Sequence, residues 1–124
     1  MQLIRGLHNL RPAHGGCVAT IGNFDGVHRG HRAIVAEVIA HARRLGVASL
    51  VMLFEPQPQE YFARDKAPAR LMRLRDKIAA LRALGVDRVL CVQFNERFRA
   101  LTAEDFVARL LVDGLGVRHL VVGD

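Results

Sequence analysis

Gly22-Asn23-Phe24-Asp25-Gly26-Val27-His28-Arg29-Gly30-His31 is the stretch whose reading decides the fold. An apolar run of β type, Cys17-Val18-Ala19-Thr20-Ile21, leads into it, and a run of helical type from Arg32 to Leu45 leaves it. Strand, glycine-bearing turn and helix N-terminus in that order present unpaired N–H groups and the positive end of the helix dipole, a setting that favours phosphate. His28 and His31 stand three residues apart across Gly30, so both imidazoles project from one side of the first helical turn. Each can donate to a phosphate oxygen, and each can become cationic near neutral pH. Gly22, Gly26 and Gly30 carry no Cβ and let a polyphosphate approach the backbone. The pattern is neither the Gly-x-x-x-x-Gly-Lys of a P-loop nor the Gly-x-Gly-x-x-Gly of a dinucleotide fold.

Working outward, Met1 to Gly6 reads as a short edge strand, and Asn9 to Gly16 as a loop carrying a solvated His14, with His8 solvated just before it. The apolar positions between Ala33 and Leu45 form one broad helical face closed by Gly46. His41 belongs to the outer surface of that helix. Val47 to Phe54 is a nearly continuous apolar run, the signature of a strand covered on both faces. It ends at Glu55-Pro56-Gln57-Pro58, where two prolines predict an extended loop, followed by a helical turn at Gln59 to Phe62.

A basic helix follows, with Leu71, Leu74, Ile78, Leu81 and Leu84 on one side and a stop at Gly85. Its charges, Arg73, Arg75 and Lys77, together with Arg64 and Arg70 ahead of it, can attract phosphates but read first as a solvated face. Val89 to Phe94 is the next strand. Thr102 with Asp105 three residues on predicts a capped helix from Ala103 to about Leu111, and Leu120 to Asp124 begins another buried strand. The alternation of strands and helices predicts one α/β domain, a Rossmann-like parallel sheet with helices on both faces and right-handed crossovers. In such a sheet ligands bind at the carboxyl ends of the strands, which places the proline loop on the same side as the histidine turn.

The totals fit one domain. Among 124 residues, 51% are hydrophobic and 24% charged, as in ordinary globular proteins. A formal charge of +6 attracts anionic ligands without choosing among them. With 6% aromatics, no Trp and no run of like charge, nucleic-acid binding is the weaker reading. Cys17 and Cys91 lie in apolar runs without a Cys-x-x-Cys spacing and read as reduced core residues, ahead of a disulfide between strands. No apolar segment is long enough to span a bilayer and no secretory leader is evident, so the cytoplasm is the expected location. Zinc on His28 and His31 ranks below phosphate, because two imidazoles do not complete a tetrahedral site, and no metal ligand set is assigned.

The His-x-Gly-His signature after a first strand resembles that of the nucleotidylyltransferase superfamily. The ten-residue string from Gly22 to His31 resembles the adenylyltransferase module of bacterial bifunctional riboflavin kinase/FMN adenylyltransferases, the FAD synthetases. Phe54 to Phe62 is similar to the proline loop of that family, with Gln57 where many members carry His. Leu71 to Lys77, Phe98 with Leu101 to Phe106, and Val121 to Asp124 are similar to its later segments.

The resemblance implies transfer of AMP from ATP to FMN, giving FAD and pyrophosphate, with Mg²⁺ bridging the phosphates. It implies that His28 and His31 are catalytic, that Gly22, Asn23, Phe24, Asp25, Gly26, Gly30 and Asp124 bind ATP, and that Phe54, Pro56, Pro58, Phe62 and Phe106 line the FMN site. For Asp25 a role in shaping the turn stands beside ligand contact, and for Phe54 and Phe106 a place in the core stands beside flavin contact. The chain stops inside the family's second nucleotide motif, so it is expected to be an amino-terminal fragment with little turnover, its riboflavin kinase domain lying elsewhere in a parent chain. Two alternatives are another nucleotidylyltransferase, acting on phosphopantetheine or nicotinate mononucleotide, and a noncatalytic nucleotide- or nucleic-acid-binding module.

Overall fold

The structure, a computed structural model, describes residues 1–11, 16–27, 29–63 and 72–123, with the backbone alone at Gln59. His28 and Asp124, and with them His14, Arg64, Arg70 and Leu71, lie outside the described residues.

Five strands, β1 (Gln2–Arg5), β2 (Cys17–Ile21), β3 (Ala48–Phe54), β4 (Arg88–Val92) and β5 (Val117–Val121), form one sheet in the order β1-β4-β3-β2-β5. Every pairing is parallel, as the alternating pattern predicts. Alternate residues of each strand face opposite ways, and two cores result. On one face Ile4, Cys17, Ala19, Leu50, Met52, Leu90 and Val92 pack against Leu110, Leu111 and Leu115. On the other, Val51, Leu53 and Val89 meet Val35 of α1 (Arg29–Leu45) and Leu81 of α3 (Leu74–Leu84). Val38 and Ala42 of α1 cover Val18 and Val121. Gly85, at φ 96°, ends α3 in the left-handed conformation a side chain would resist.

Several predicted elements need correction. Pro58 belongs to no extended loop: it is the first residue of α2 (Pro58–Ala63), where its missing N–H costs nothing. The Glu55–Pro56 bond is cis. The predicted helix after Thr102 opens as a short turn, α5 (Ala103–Asp105), with Thr102 Oγ1 accepting from the Asp105 N–H at 3.0 Å. It then continues as a π-helical segment, Phe106–Gly114. β5 is buried only at Val121: Arg118, His119 and Leu120 are exposed along the edge of the sheet. Lys77 is not solvated but 2% exposed, on the buried face of α3.

Cys17 and Cys91 are buried thiols not joined by a disulfide, on strands separated by β3. Burial pushes the Cys17 thiol up to about 11, against a smaller downward pull from Arg88, and its Sγ lies 3.7 Å from the Leu115 carbonyl. His8 is exposed. His41 is partly covered, stacked on His119 with centroids 4.2 Å apart. No helix among the described residues is long and apolar enough to cross a membrane.

Candidate functional site: the turn after β2 and the aromatic wall beside it

From β2 the chain builds β3 and then β4 on one side, while β5 pairs on the other side of β2. The strand order therefore reverses between β2 and β5, and the crevice at their carboxyl ends is where an open α/β sheet binds ligands. The register Thr20↔Val121 brings Ile21-Gly22-Asn23 beside Val122-Gly123. Between them lies a cleft of about 170 Å³ lined by Gly22, Asn23, Phe24, His31, Ile34 and Gly123, among others. His31 is in the first turn of α1, which begins at Arg29, so the positive end of that helix adjoins the cleft.

The turn is held by its apolar members. Phe24 and Val27 are 3% and 6% exposed and pack in the cluster with Val35, Val51 and Leu81. Three of its residues have positive φ: Phe24 at 51°, Gly26 at 87° and Val27 at 38°. For a β-branched residue such as Val27 this conformation is costly, and it persists only where the surroundings over-determine it. The Val27 N–H closes the turn on the Phe24 carbonyl at 3.3 Å. Asp25 Oδ1 accepts from the Met72 N–H at 2.7 Å.

Phe24 both seats the turn and lines the cleft. Its ring lies 4.9 Å from the His31 ring at 49°, so the buried side chain packs beside the imidazole. Gly22 needs to be glycine for space: a Cβ there would stand 3.0 Å from Phe24 Cε2. A Cβ on Gly123 would come within 2.5 Å of Ile34 Cδ1. The glycines thus leave the cleft open toward the backbone.

Beside the cleft, at the carboxyl ends of β3 and β4, the aromatic residues form one connected group. Phe54 meets Phe94 at 5.6 Å and Phe98 at 5.2 Å, Phe62 meets Phe94 at 5.7 Å, and Phe98 meets Phe106 at 6.0 Å. These are mainly edge-to-face contacts. Phe54 and Phe106 are partly buried against the core, whereas Phe62 is 60% exposed. The Arg99 guanidinium covers Phe62 at 5.4 Å. Arg99 also pairs with Glu96 at 3.3 Å, and Glu96 accepts from the Tyr61 hydroxyl. That hydrogen bond, more than burial or the nearby charge, raises the Tyr61 phenol above its ordinary value of 10.0. Tyr61 and Phe62 of α2 are thereby clasped to α4 (Glu96–Arg99), which is capped by Asn95 Oδ1 at 2.9 Å.

Pro56 and Pro58 are half-buried at the start of α2, and Gln57 between them is fully buried. Gln57 starts the helix, its N–H donating to Glu60 Oε1 at 2.8 Å and its carbonyl accepting from the Glu60 and Tyr61 N–H groups. Sequence reasoning passed over Phe94, which joins Phe54 to Phe62. Its place just after β4, as Phe54 ends β3, is the signal that points to it.

A larger cavity of about 620 Å³ lies between the 3-10 turn at Leu7–Asn9, the end of β4 and the π-helical segment. It touches the aromatic group through Phe98 but is lined by none of Phe54, Pro56, Pro58, Phe62 or Phe106. No group of three or more His, Cys, Asp or Glu among the described residues can hold a metal ion.

The FAD synthetase family model matches residues 10–124. The chain belongs to the FAD synthetase family. Over its whole length it is 64% identical to the bifunctional riboflavin kinase/FMN adenylyltransferase of Pseudomonas fluorescens. It is 59% identical to that of Escherichia coli K12 and 48% identical to that of Haemophilus influenzae. The chain spans 40% of the length of each of these relatives. Among solved structures, a protein described as a macrolide-efflux protein from Streptococcus pneumoniae superposes with a TM-score of 0.80 at 21% identity, over 98% of this chain and 41% of that one. That likeness establishes the shared fold.

Proposed function

We propose that this chain is the adenylyltransferase module of an FAD synthetase, transferring AMP from ATP to FMN with release of pyrophosphate, in a parent enzyme whose further domain phosphorylates riboflavin. The observation that carries the reading is the glycine-floored cleft at the reversal of strand order, with His31 on its rim and the start of α1 beside it. An oxygen of the FMN phosphate forms a bond to the α-phosphorus of ATP, and the bond from that phosphorus to the pyrophosphate oxygen breaks. The attacking phosphate is already an anion, so the protein's task is alignment and neutralisation of charge rather than deprotonation.

In this reading the backbone of Gly22, Asn23, Gly26 and Gly30 and the ring edge of Phe24 receive the nucleotide, and Asp124 is a further nucleotide contact. His31, packed beside Phe24, donates to a phosphate oxygen, and His28 does the same. Mg²⁺ arrives on the triphosphate as part of the substrate.

Phe62, exposed and flat, forms the wall on which the isoalloxazine stacks. Phe54, Pro56, Pro58 and Phe106 support that wall from the core side. Two reduced, buried cysteines suit a cytoplasmic enzyme. The test is a panel of acceptors offered with ATP to the full-length enzyme. FAD formed from FMN, with phosphopantetheine and nicotinate mononucleotide inert, is the expected result. Transfer to either of the latter in preference to FMN overturns it.

A further inference from the structure

Asp25 lies within a turn whose backbone is costly to maintain. Phe24 before it and Gly26 and Val27 after it all have positive φ, and such a turn keeps its shape only if it is held from several directions. Two of the holds are the buried side chains of Phe24 and Val27. The third is electrostatic and long in sequence: Asp25 Oδ1 accepts the Met72 N–H at 2.7 Å across 47 positions. Met72 itself packs against the cluster that contains Phe24 and Val27.

Arg73, which follows, is the N-cap residue of α3 but makes no side-chain capping bond. The backbone leading into α3 is thus fixed by a carboxylate from another element.

We propose that Asp25 is a positioning residue that latches the turn after β2 to the start of α3, rather than a ligand of nucleotide or metal. The inference rests on the adenylyl-transfer reading of the cleft. Through the turn, the latch keeps Phe24 under the His31 ring, 4.9 Å away.

The two roles make opposite demands on charge. A backbone N–H is a neutral donor, which the Oδ1 of an asparagine accepts as an aspartate oxygen does. A metal-bound or proton-accepting role requires the anion. The test is therefore Asp25→Asn beside Asp25→Ala in the full-length enzyme, with kcat and KM for ATP measured in FAD formation and amide hydrogen exchange followed at Met72.

A latch predicts that Asp25→Asn stays within about threefold of wild type with Met72 still protected. It predicts that Asp25→Ala raises KM for ATP about tenfold, with a smaller loss in kcat and faster exchange at Met72. If Asp25→Asn is as inactive as Asp25→Ala while its Met72 amide stays protected, the charge is a ligand and the proposal is overturned. Wild-type activity in Asp25→Ala overturns it equally. Should Asp25→Ala fail to fold, the activity and exchange of Asp25→Asn decide alone. A wild-type enzyme that makes no FAD from ATP and FMN refutes the adenylyl-transfer reading instead, and the exchange comparison still reports on the latch.

Discussion

Gly22→Ala isolates the packing that orients His31. Gly22 does not have positive φ, so the substitution adds no backbone strain and its effect comes from space. The new Cβ would stand 3.0 Å from Phe24 Cε2 and 3.3 Å from Cδ2. Ordinary contact starts at 3.4 Å, so the ring must yield by a few tenths of an ångström. Phe24 is 3% exposed and has little room to yield into, and overpacking of this kind costs about 1–3 kcal/mol. At about 4 °C per kcal/mol for a chain of this size, thermal unfolding should move down by about 4–12 °C.

The displaced ring bears on His31, so FAD formation by the full-length enzyme should fall about tenfold if the imidazole shifts by a fraction of an ångström. Phe24→Leu removes the atoms that clash and alone costs about 1 kcal/mol. In the double variant the two penalties should not add, leaving a coupling of about 1–2 kcal/mol by denaturant unfolding. Unchanged stability and turnover in Gly22→Ala, or strict additivity in the cycle, would refute the claim that Gly22 exists to make room for Phe24.

The remaining expectations concern titrating groups. Cys17 is buried and its thiol is raised from 9.0 to about 11. Above pH 9 the unfolded chain loses this proton before the folded one does, so stability is fully present below pH 9 and falls as pH rises toward 11. The loss approaches about 3 kcal/mol. Denaturant midpoints between pH 8 and 11 should show that decline in wild type and a shallower one in Cys17→Ala; equal slopes would contradict the burial argument. Tyr61 is the only tyrosine in the 124 residues, and there is no tryptophan, so tyrosinate absorbance reports it directly. Its midpoint should lie above 10.0 in wild type and drop in Glu96→Ala, while an unchanged midpoint would mean that the Tyr61–Glu96 bond does not form in solution.

The central strands β2, β3 and β4 were legible because each announces itself by a nearly continuous apolar run and the crossovers between them by helical spacing, whereas β5, broken by Arg118 and His119, begins three residues before the expected Leu120. Strand order was not legible, since nothing in Val117 to Val121 says on which side of β2 it pairs. Its exposure follows from that edge position, which is why a buried strand was the wrong expectation. Thr102 and Asp105 marked the start of a helix correctly. The widening into a π-helix depends on Phe106, Leu110, Leu111 and Leu115 all meeting the sheet, a spacing of four and five residues that accords with i→i+5 bonding.

At the site, the glycines and histidines stood in one short string between a strand run and a helix run, so their order and spacing sufficed to find the turn. What holds the turn was hidden: the positive φ of Phe24 and Val27 has no residue-type signal, and Asp25 and Met72 are 47 positions apart. Phe94 joins the aromatic wall only because the ends of β3 and β4 lie side by side, with Phe54 opposite Val92. Lys77 reads as one charge among many until α3 is turned toward the sheet.

The central claim is a phosphate site at the turn after β2. Calorimetric titration of ATP·Mg²⁺ into the protein, in wild type and in folded His28→Ala and His31→Ala variants, tests it most directly. Binding heat in wild type that is lost or strongly reduced in both variants is the expected result. Variants that bind ATP as tightly as wild type would contradict it.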